Sequence, residues 1–202
     1  LAHSKNPVAV RLIESVSPKK VIQLARDLGV TEEMPNEYAI ALGSSDITIY
    51  EMLGAYSSFA NFGNYIKPEM VWRIEDANGR VIKEVKNETK EVMNEMYAYT
   101  MIDLMKGVTR FGTASGELRR MGIPETVEIA GKTGTTQNNS DGWFMGITPN
   151  LATGVWVGWE DRATHFWSTG EGQGAKMALP IWGIFMKKVW ADKELGITPD
   201  DK

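Results

Sequence analysis

The run Ala130-Gly131-Lys132-Thr133-Gly134-Thr135-Thr136 places a cationic amine among hydroxyls and residues with little or no side chain. In a strand, Thr133 and Thr135 face the same side, and Lys132 faces the opposite side unless twist or a bulge at Gly131 turns it. Gly134 lets a ligand backbone approach closely. This pattern indicates a surface that holds an anionic acyl donor while a backbone N–H stabilises a tetrahedral oxyanion. A plain solvent-exposed turn is the alternative, because Lys-Thr-Gly alone is a common tripeptide.

Ser4-Lys5-Asn6 is a second group of polar side chains with catalytic potential. Ser4 could shuttle a proton between a leaving amine and a lysine, and Asn6 could hydrogen-bond a substrate amide and the same lysine. Taken alone, Ser-x-Asn before a helix is more often an N-cap. The downstream lysine run is what favours the catalytic interpretation.

Other arrangements of polar residues in the chain are weaker candidates for a catalytic or metal site. Ser17 and Lys20 form a Ser-x-x-Lys spacing, in which an amine can activate a hydroxyl, but Pro18 favours a helix cap there. His3 and His165 are the only histidines and lack the spacing of a catalytic triad. No cluster of His, Cys, Asp and Glu indicates a metal site, and we expect no cofactor.

Composition excludes several classes of protein. The 202 residues carry a formal charge of −4 with 43% hydrophobic residues, which is typical of a globular domain and disfavours a nucleic-acid partner. The chain has no cysteine, so disulfides are excluded. No apolar run reaches the roughly 20 residues of a membrane span, so we expect no membrane contact from this chain. Because the chain begins with Leu1, we expect it to be part of a longer polypeptide.

Apolar periodicity predicts the elements that would position these residues. Helical spacing covers residues 9–15, 18–28, 94–108 and 178–191, and a further helix capped by Ser45 or Thr48 ends at Gly63. Asn78-Gly79 predicts a tight hairpin with positive φ at both residues. Residues 127–132, 142–147 and 151–158 read as an antiparallel meander, and residues 111–122 as a loop. The order indicates an α+β fold with helices packed on a sheet.

Tryptophans offer one further expectation. Four of the seven lie in apolar patterns and are predicted core residues: Trp143, Trp156, Trp182 and Trp190. Trp159 and Trp167 flank a loop near the presumed cleft, where they could touch a ligand.

Taken together, the motifs resemble the transpeptidase domain of class A, bifunctional penicillin-binding proteins of the 1A type. Ser-x-Asn and Lys-Thr-Gly are two of the three motifs of penicillin-reactive serine acyl-transferases. The resemblance extends along most of the chain, through Ser4 to Arg11, Ala41 to Gly63, Gly131 to Thr136, Asp141 to Gly146, Gly154 to Gly158 and Ala178 to Trp182.

The resemblance implies a penicillin-binding transpeptidase or serine β-lactamase-like fold: an antiparallel sheet flanked by helices, next to a helical subdomain. Residues 1–202 would be the C-terminal part of a single transpeptidase domain and supply the last three strands of the sheet. The third motif, Ser-x-x-Lys, would lie upstream. The piece by itself would therefore be inactive and would expose apolar surface.

The implied activity is peptidoglycan cross-linking through an upstream serine that attacks a D-Ala-D-Ala bond. Ser4 would shuttle the proton and Asn6 would contact substrate amide and lysine. Lys132, with the hydroxyls of Thr133 and Thr135, would hold the donor carboxylate, and the Thr135 N–H would be half of the oxyanion hole. Gly134 and Thr136 complete the expected substrate-binding set.

The implied partners are peptidoglycan stem peptides and β-lactams. The implied location is the cell envelope, at the outer, periplasmic face of the cytoplasmic membrane, in a membrane-anchored protein. Two alternatives remain: a β-lactamase or D,D-carboxypeptidase relative, and a non-catalytic peptide-binding or cell-wall-binding module. Covalent acylation by penicillin separates an enzyme from a binding module.

Overall fold

The computed structural model describes residues 1–202. The helices are α1 (Asn6–Val16), α2 (Pro18–Asp27), α3 (Ile49–Ala60), α4 (Glu95–Arg110), α5 (Ser115–Arg120), α6 (Thr169–Gly172) and α7 (Gly174–Ala191). The strands are β1 (Asn64–Ile66), β2 (Arg73–Glu75), β3 (Val81–Glu84), β4 (Thr89–Glu91), β5 (Ala130–Thr135), β6 (Gly142–Thr148) and β7 (Leu151–Val157). Short 3₁₀ helices span Tyr38–Leu42 and Lys193–Leu195.

The main sheet is a three-stranded antiparallel meander in the order β5-β6-β7. β5 pairs with β6 from Ala130 opposite Ile147 to Thr135 opposite Gly142, without a bulge. β6 is the middle strand, and nearly all of it is buried because helices cover both faces of the sheet. The predicted α+β fold with an antiparallel meander is confirmed, although β5 begins at residue 130 and not at residue 127.

One face of the sheet packs against α7, and α5 packs against α7 within the same hydrophobic core. The rings of Phe144 and Trp182 meet edge-to-face, with centroids 5.1 Å apart, and both side chains are fully buried. Gly146 makes this possible, since a Cβ there would lie 2.5 Å from the Trp182 ring. The main core is therefore built by a helix lying directly on the middle strand.

The other face of the sheet packs against α3 and α4. Met105, Ala130 and Ile147 form a small buried cluster there. Both helices begin with a side-chain cap: the Thr48 hydroxyl accepts a hydrogen bond from the Glu51 N–H, and the Asn94 side chain accepts one from the Met96 N–H. Thr48, one of the two predicted caps, is the one used.

The first two helices form a hairpin at the start of the chain. α1 begins at Asn6, three residues before the predicted start at residue 9, because Pro7 is tolerated in a first turn. α2 begins at Pro18 as predicted, but Ser17 adopts φ +83° and makes no side-chain capping bond. None of the helices combines the length and apolarity that a membrane span requires.

Two local predictions were wrong. In the β2–β3 hairpin only Gly79 has positive φ. Its N–H donates to the Asp76 carbonyl in a four-residue turn, and the pairing of β2 with β3 is irregular at Ile74/Glu75, just before the turn. Residues 111–122, predicted as a loop, contain α5. The short pair β1–β4 was not predicted at all, since three-residue strands carry too little periodicity.

The prediction that four tryptophans lie in the core is only partly confirmed. Trp182 is fully buried, as predicted, and Trp143 and Trp190 are half-buried. Trp156 is 41% exposed, so its assignment to the core was wrong. Trp156 lies on the edge strand β7, where its ring contacts the Trp143 ring and its Nε1 donates to Asp141 Oδ2 at 3.1 Å.

Candidate functional site

The Lys-Thr-Gly run lies on β5, which pairs with β6 on one side only and leaves its other edge open. The Thr136 N–H donates to the Asp141 carbonyl, toward β6. Because successive N–H groups along a strand point in opposite directions, the Thr135 N–H points to the open edge. A backbone donor is thus presented where a ligand can approach.

Lys132 meets the other predicted motif across the fold. Its Nζ donates to Ser4 Oγ at 3.0 Å and to the Thr133 carbonyl at 2.6 Å. The regular pairing of β5 makes the Lys132 side chain leave the strand on the face opposite to Thr133 and Thr135. Its Nζ nevertheless bends round to the open edge, because the Thr133 carbonyl that accepts its hydrogen bond points away from β6. The two polar runs therefore form one site although 128 residues separate them.

Burial lowers the pKa of the Lys132 amine below its usual value of 10.5. The cause is desolvation, which disfavours the ammonium form in a half-buried position. A neutral amine beside a hydroxyl is a proton acceptor, whereas an ammonium is a donor. A lowered pKa makes the Lys132 ammonium a stronger acid, so it gives a proton to the neighbouring Ser4 oxygen more readily.

Ser4 is held in place by a tight backbone turn. Its φ of +49° is in the left-handed region, and its N–H donates to the Leu1 carbonyl at 3.1 Å. The Thr113 N–H donates to the Ala2 carbonyl, which fastens this segment to the end of α4. The turn aims the Ser4 hydroxyl at β5.

Asn6 is not brought to Lys132 in this structure. It is the first residue of α1, its side chain is exposed, and it forms no side-chain hydrogen bond. Its role toward a substrate amide stays a prediction.

The three other residues predicted to bind substrate also have structural contacts. Thr135 Oγ1 accepts a hydrogen bond from the Gly174 N–H at 3.0 Å, which fixes the start of α7. Thr136 Oγ1 accepts from the N–H groups of Ser140 and Asp141, each at 3.0 Å, and closes the β5–β6 turn. A Cβ at Gly134 would lie 3.1 Å from Trp143 Cβ, so Gly134 also makes room for that residue.

Thr113 is a site residue that sequence reasoning missed. Its hydroxyl lies 2.7 Å from the Thr133 hydroxyl. Residues 111–122 offered one usable signal: a hydroxyl between two small residues, Gly112 and Ala114, directly after a long amphipathic helix. Such a segment can approach another backbone closely.

The remaining sequence candidates form no hydrogen bond with the Ser4 or Lys132 side chain. Ser17 precedes α2 with an exposed Lys20, and the two side chains form no hydrogen bond with each other. Trp159 and Trp167 are exposed on a loop that is fastened to the β5–β6 turn by the Phe166 N–H, which donates to the Asn139 carbonyl. No group of His, Cys, Asp and Glu is arranged to hold a metal ion.

Comparison with known proteins identifies relatives along nearly the whole chain. A family model described as the penicillin binding protein transpeptidase domain matches residues 1–164. Penicillin-binding protein 1A of Aquifex aeolicus is 34% identical over 205 residues, which cover 100% of this chain and 27% of that protein. Penicillin-binding protein 2D of Bacillus subtilis is 34% identical over 190 residues, covering 93% of this chain and 27% of that protein.

Solved structures share the fold. Penicillin-binding protein 1A from Haemophilus influenzae superposes with a TM-score of 0.81 at 25% identity, over 96% of this chain and 34% of that one. The PonA1 protein from Mycobacterium tuberculosis, in complex with penicillin V, superposes with a TM-score of 0.74 at 24% identity. That match covers 89% of this chain and 52% of the PonA1 chain, and it supports the fold alone.

Proposed function

Because the chain belongs to the penicillin-binding protein transpeptidase domain family, we propose that it forms the C-terminal part of a single transpeptidase domain that cross-links peptidoglycan. The donor is a stem peptide that ends in D-Ala-D-Ala. A serine hydroxyl attacks the carbonyl carbon of that bond, D-alanine leaves, and the acyl group passes to an amine on a neighbouring stem. The reaction would take place in the cell envelope, outside the cytoplasmic membrane.

The observation that carries this proposal is the hydrogen bond from Lys132 Nζ to Ser4 Oγ. Since the Ser4 oxygen accepts this bond, the Ser4 proton is free to be donated to the leaving amine nitrogen. Lys132 can then return a proton to Ser4, and the lowered pKa of its amine eases that transfer. The pair thus has the geometry of a proton shuttle.

The open edge of β5 supports the electrostatic part of the reaction. The Thr135 N–H donates to the oxyanion of the tetrahedral intermediate, while Lys132 and the Thr133 hydroxyl hold the donor carboxylate. Removing one oxyanion donor costs about 10²–10³ in rate in related chemistry. We propose that the second donor and the attacking serine come from a segment outside residues 1–202, since Ser4 is used as the shuttle.

Acylation by a fluorescent penicillin tests the proposal. The longer protein that contains this chain and residues 1–202 alone would each be incubated, and the adduct measured by intact mass and mapped by peptide mass. We expect one adduct on the longer protein, on a serine outside residues 1–202, and none on residues 1–202 alone. Ser4→Ala in the longer protein should slow acylation without moving the adduct.

Other results would overturn parts of the proposal. An adduct on Ser4 or Ser17 would make that residue the nucleophile and refute the shuttle role. A longer protein that binds stem peptide without forming an adduct would be a binding module. D-Alanine release at a rate independent of an added acceptor amine would indicate a carboxypeptidase, not a transpeptidase.

A further inference from the structure

Thr113 lies in a rigid turn between α4 and α5. The next residue, Ala114, is fully buried in the main core, and its N–H donates to the Val108 carbonyl at 3.1 Å. The Ser115 hydroxyl donates to the Gly112 carbonyl at 2.9 Å. The position of the Thr113 backbone is therefore set by the core and by local hydrogen bonds.

The same turn contacts the segment that carries Ser4. The Thr113 N–H donates to the Ala2 carbonyl at 3.1 Å. The backbones approach so closely that a Cβ at Gly112 would lie 2.2 Å from the Ala2 oxygen. Thr113 consequently contacts both motifs, the Ser4 segment through its backbone and β5 through its side chain.

The side-chain contact is made to a buried partner. Thr133 is 8% exposed, and its side-chain hydroxyl has one hydrogen-bond partner in the structure, the Thr113 hydroxyl at 2.7 Å. Of two hydroxyls that share one hydrogen bond, one donates and the other keeps a free proton. When Thr113 donates, the Thr133 proton is available to a ligand.

We propose that Thr113 is a positioning residue for the donor carboxylate, and this inference depends on the function proposed above. The Thr113 hydroxyl donates to Thr133 Oγ1, and the Thr133 hydroxyl donates to a carboxylate oxygen beside the Lys132 ammonium. A hydroxyl that is itself a hydrogen-bond acceptor becomes a stronger donor. Thr113 thereby sets the orientation and the strength of the contact that Thr133 makes.

The test compares ligands with and without the carboxylate, in the longer protein that contains this chain. Thr113→Val removes the hydroxyl at constant shape, and Thr113→Ser retains it. Thr100→Val is the matched control, because Thr100 lies on the exposed side of α4 and its hydroxyl bonds only the Met96 carbonyl. The measurement is the second-order rate constant of acylation by benzylpenicillin and by its methyl ester.

We expect Thr113→Val to lower the rate constant for benzylpenicillin about tenfold, and Thr113→Ser to stay within about threefold of the unmodified protein. The methyl ester should react with Thr113→Val and with the unmodified protein at rates within about threefold of each other. Thr113→Val combined with Thr133→Val should lose no more than Thr133→Val alone, since the two hydroxyls act in series.

Two results would overturn the inference while the proposed function stands: an unchanged rate constant for benzylpenicillin with Thr113→Val, or an equal loss for acid and ester. The second would show a purely structural role. If Thr113→Val does not fold, the acid-to-ester comparison with Thr113→Ala decides in its place. An unmodified protein that neither reagent acylates would refute the proposed function, and this inference with it.

Discussion

The surroundings of the Lys132 amine disfavour its charged, ammonium form. Its side chain is half-buried, and desolvation lowers the pKa of its amine. Between that lowered pKa and 10.5 the unfolded chain binds more protons than the folded chain, so this group makes stability rise with pH in that window. Burying the ammonium form therefore costs folding free energy, and an anionic ligand beside Lys132 would offset that cost.

Lys132→Met should therefore separate stability from function. We expect the free energy of unfolding at pH 7 to stay the same or rise by about 0.5–1 kcal/mol, because a desolvated charge is removed. Acylation by benzylpenicillin, measured in the longer protein that contains this chain, should fall about 100-fold, because the carboxylate loses its charged partner. Denaturant unfolding and acylation kinetics measure the two effects.

Lys20→Met is the control for this substitution, since Lys20 is an exposed lysine on α2. It should change neither quantity. A Lys132→Met protein that is strongly destabilised would show that the lysine is chiefly structural.

At the scale of elements, Glu117 joins α5 to α7. Its side chain is 2% exposed and pairs with Lys176 of α7 at 2.9 Å and with Arg120 one turn along α5. Hydrogen bonds from Arg120, and then from Lys176, hold the pKa of this carboxyl below its usual value of 4.5. The Glu117 carboxylate and its two cationic partners stabilise the folded chain above pH 4.5. That stability is lost as the pH falls through the lowered pKa of Glu117.

We expect Glu117→Gln to lower the free energy of unfolding at pH 7 by about 1–2 kcal/mol, because charge-assisted hydrogen bonds are lost while both cations can turn to solvent. The difference from the unmodified chain should shrink as the pH falls below 4.5. Glu125→Gln is the matched control: its pair with Arg119 is exposed on both sides and should contribute less than about 0.5 kcal/mol. Equal effects of the two substitutions would argue against a coupling role for Glu117.

The ends of the helices show where the spacing of apolar residues is enough to predict a helix and where it is not. α4 was predicted almost to its ends because 16 residues provide several turns of apolar repeat and Asn94 caps it. α5 was missed because its six residues include Gly116 and make less than two full turns. α7 starts at Gly174, before the predicted residue 178, and the lack of a side chain at Gly174 lets the start of the helix lie closely against Gly134 and Trp143.

At the scale of the molecule, one sheet separates two cores of unequal size. The larger core joins β6 to α7 and α5, and Trp182 with Phe144 forms its centre. Many large apolar side chains on the outer helices are exposed, among them Leu12 of α1 and Leu104 of α4. The larger core must therefore provide most of the cooperative stability.

Gly146→Ala tests that dependence. A Cβ at this position would lie 2.5 Å from the Trp182 ring, and the ring is fully buried with no room to move. We expect the free energy of unfolding to fall by about 1–3 kcal/mol through overpacking. Gly116→Ala, where nothing lies within 4 Å, should instead stabilise by about 0.4–1 kcal/mol. Similar melting temperatures for the two variants would contradict the packing argument.

The sequence by itself determined the α+β class, the antiparallel meander and the family, because these depend on periodicity over many residues and on motifs read in order. It also indicated that Ser4 and Lys132 belong to one chemistry. Only the tertiary structure decided that their side chains meet, since a contact across 128 positions has no local signal.

The tertiary structure also decided the roles that neighbours impose. Thr113 lies against Thr133 because α4 ends beside β5, and Thr136 closes a turn because the chain reverses at Ser140 and Asp141. The pKa of Lys132 is lowered by burial, and burial exists only once distant segments have packed together. The sequence gives the type of each residue, but its contacts and its exposure to solvent depend on the whole fold.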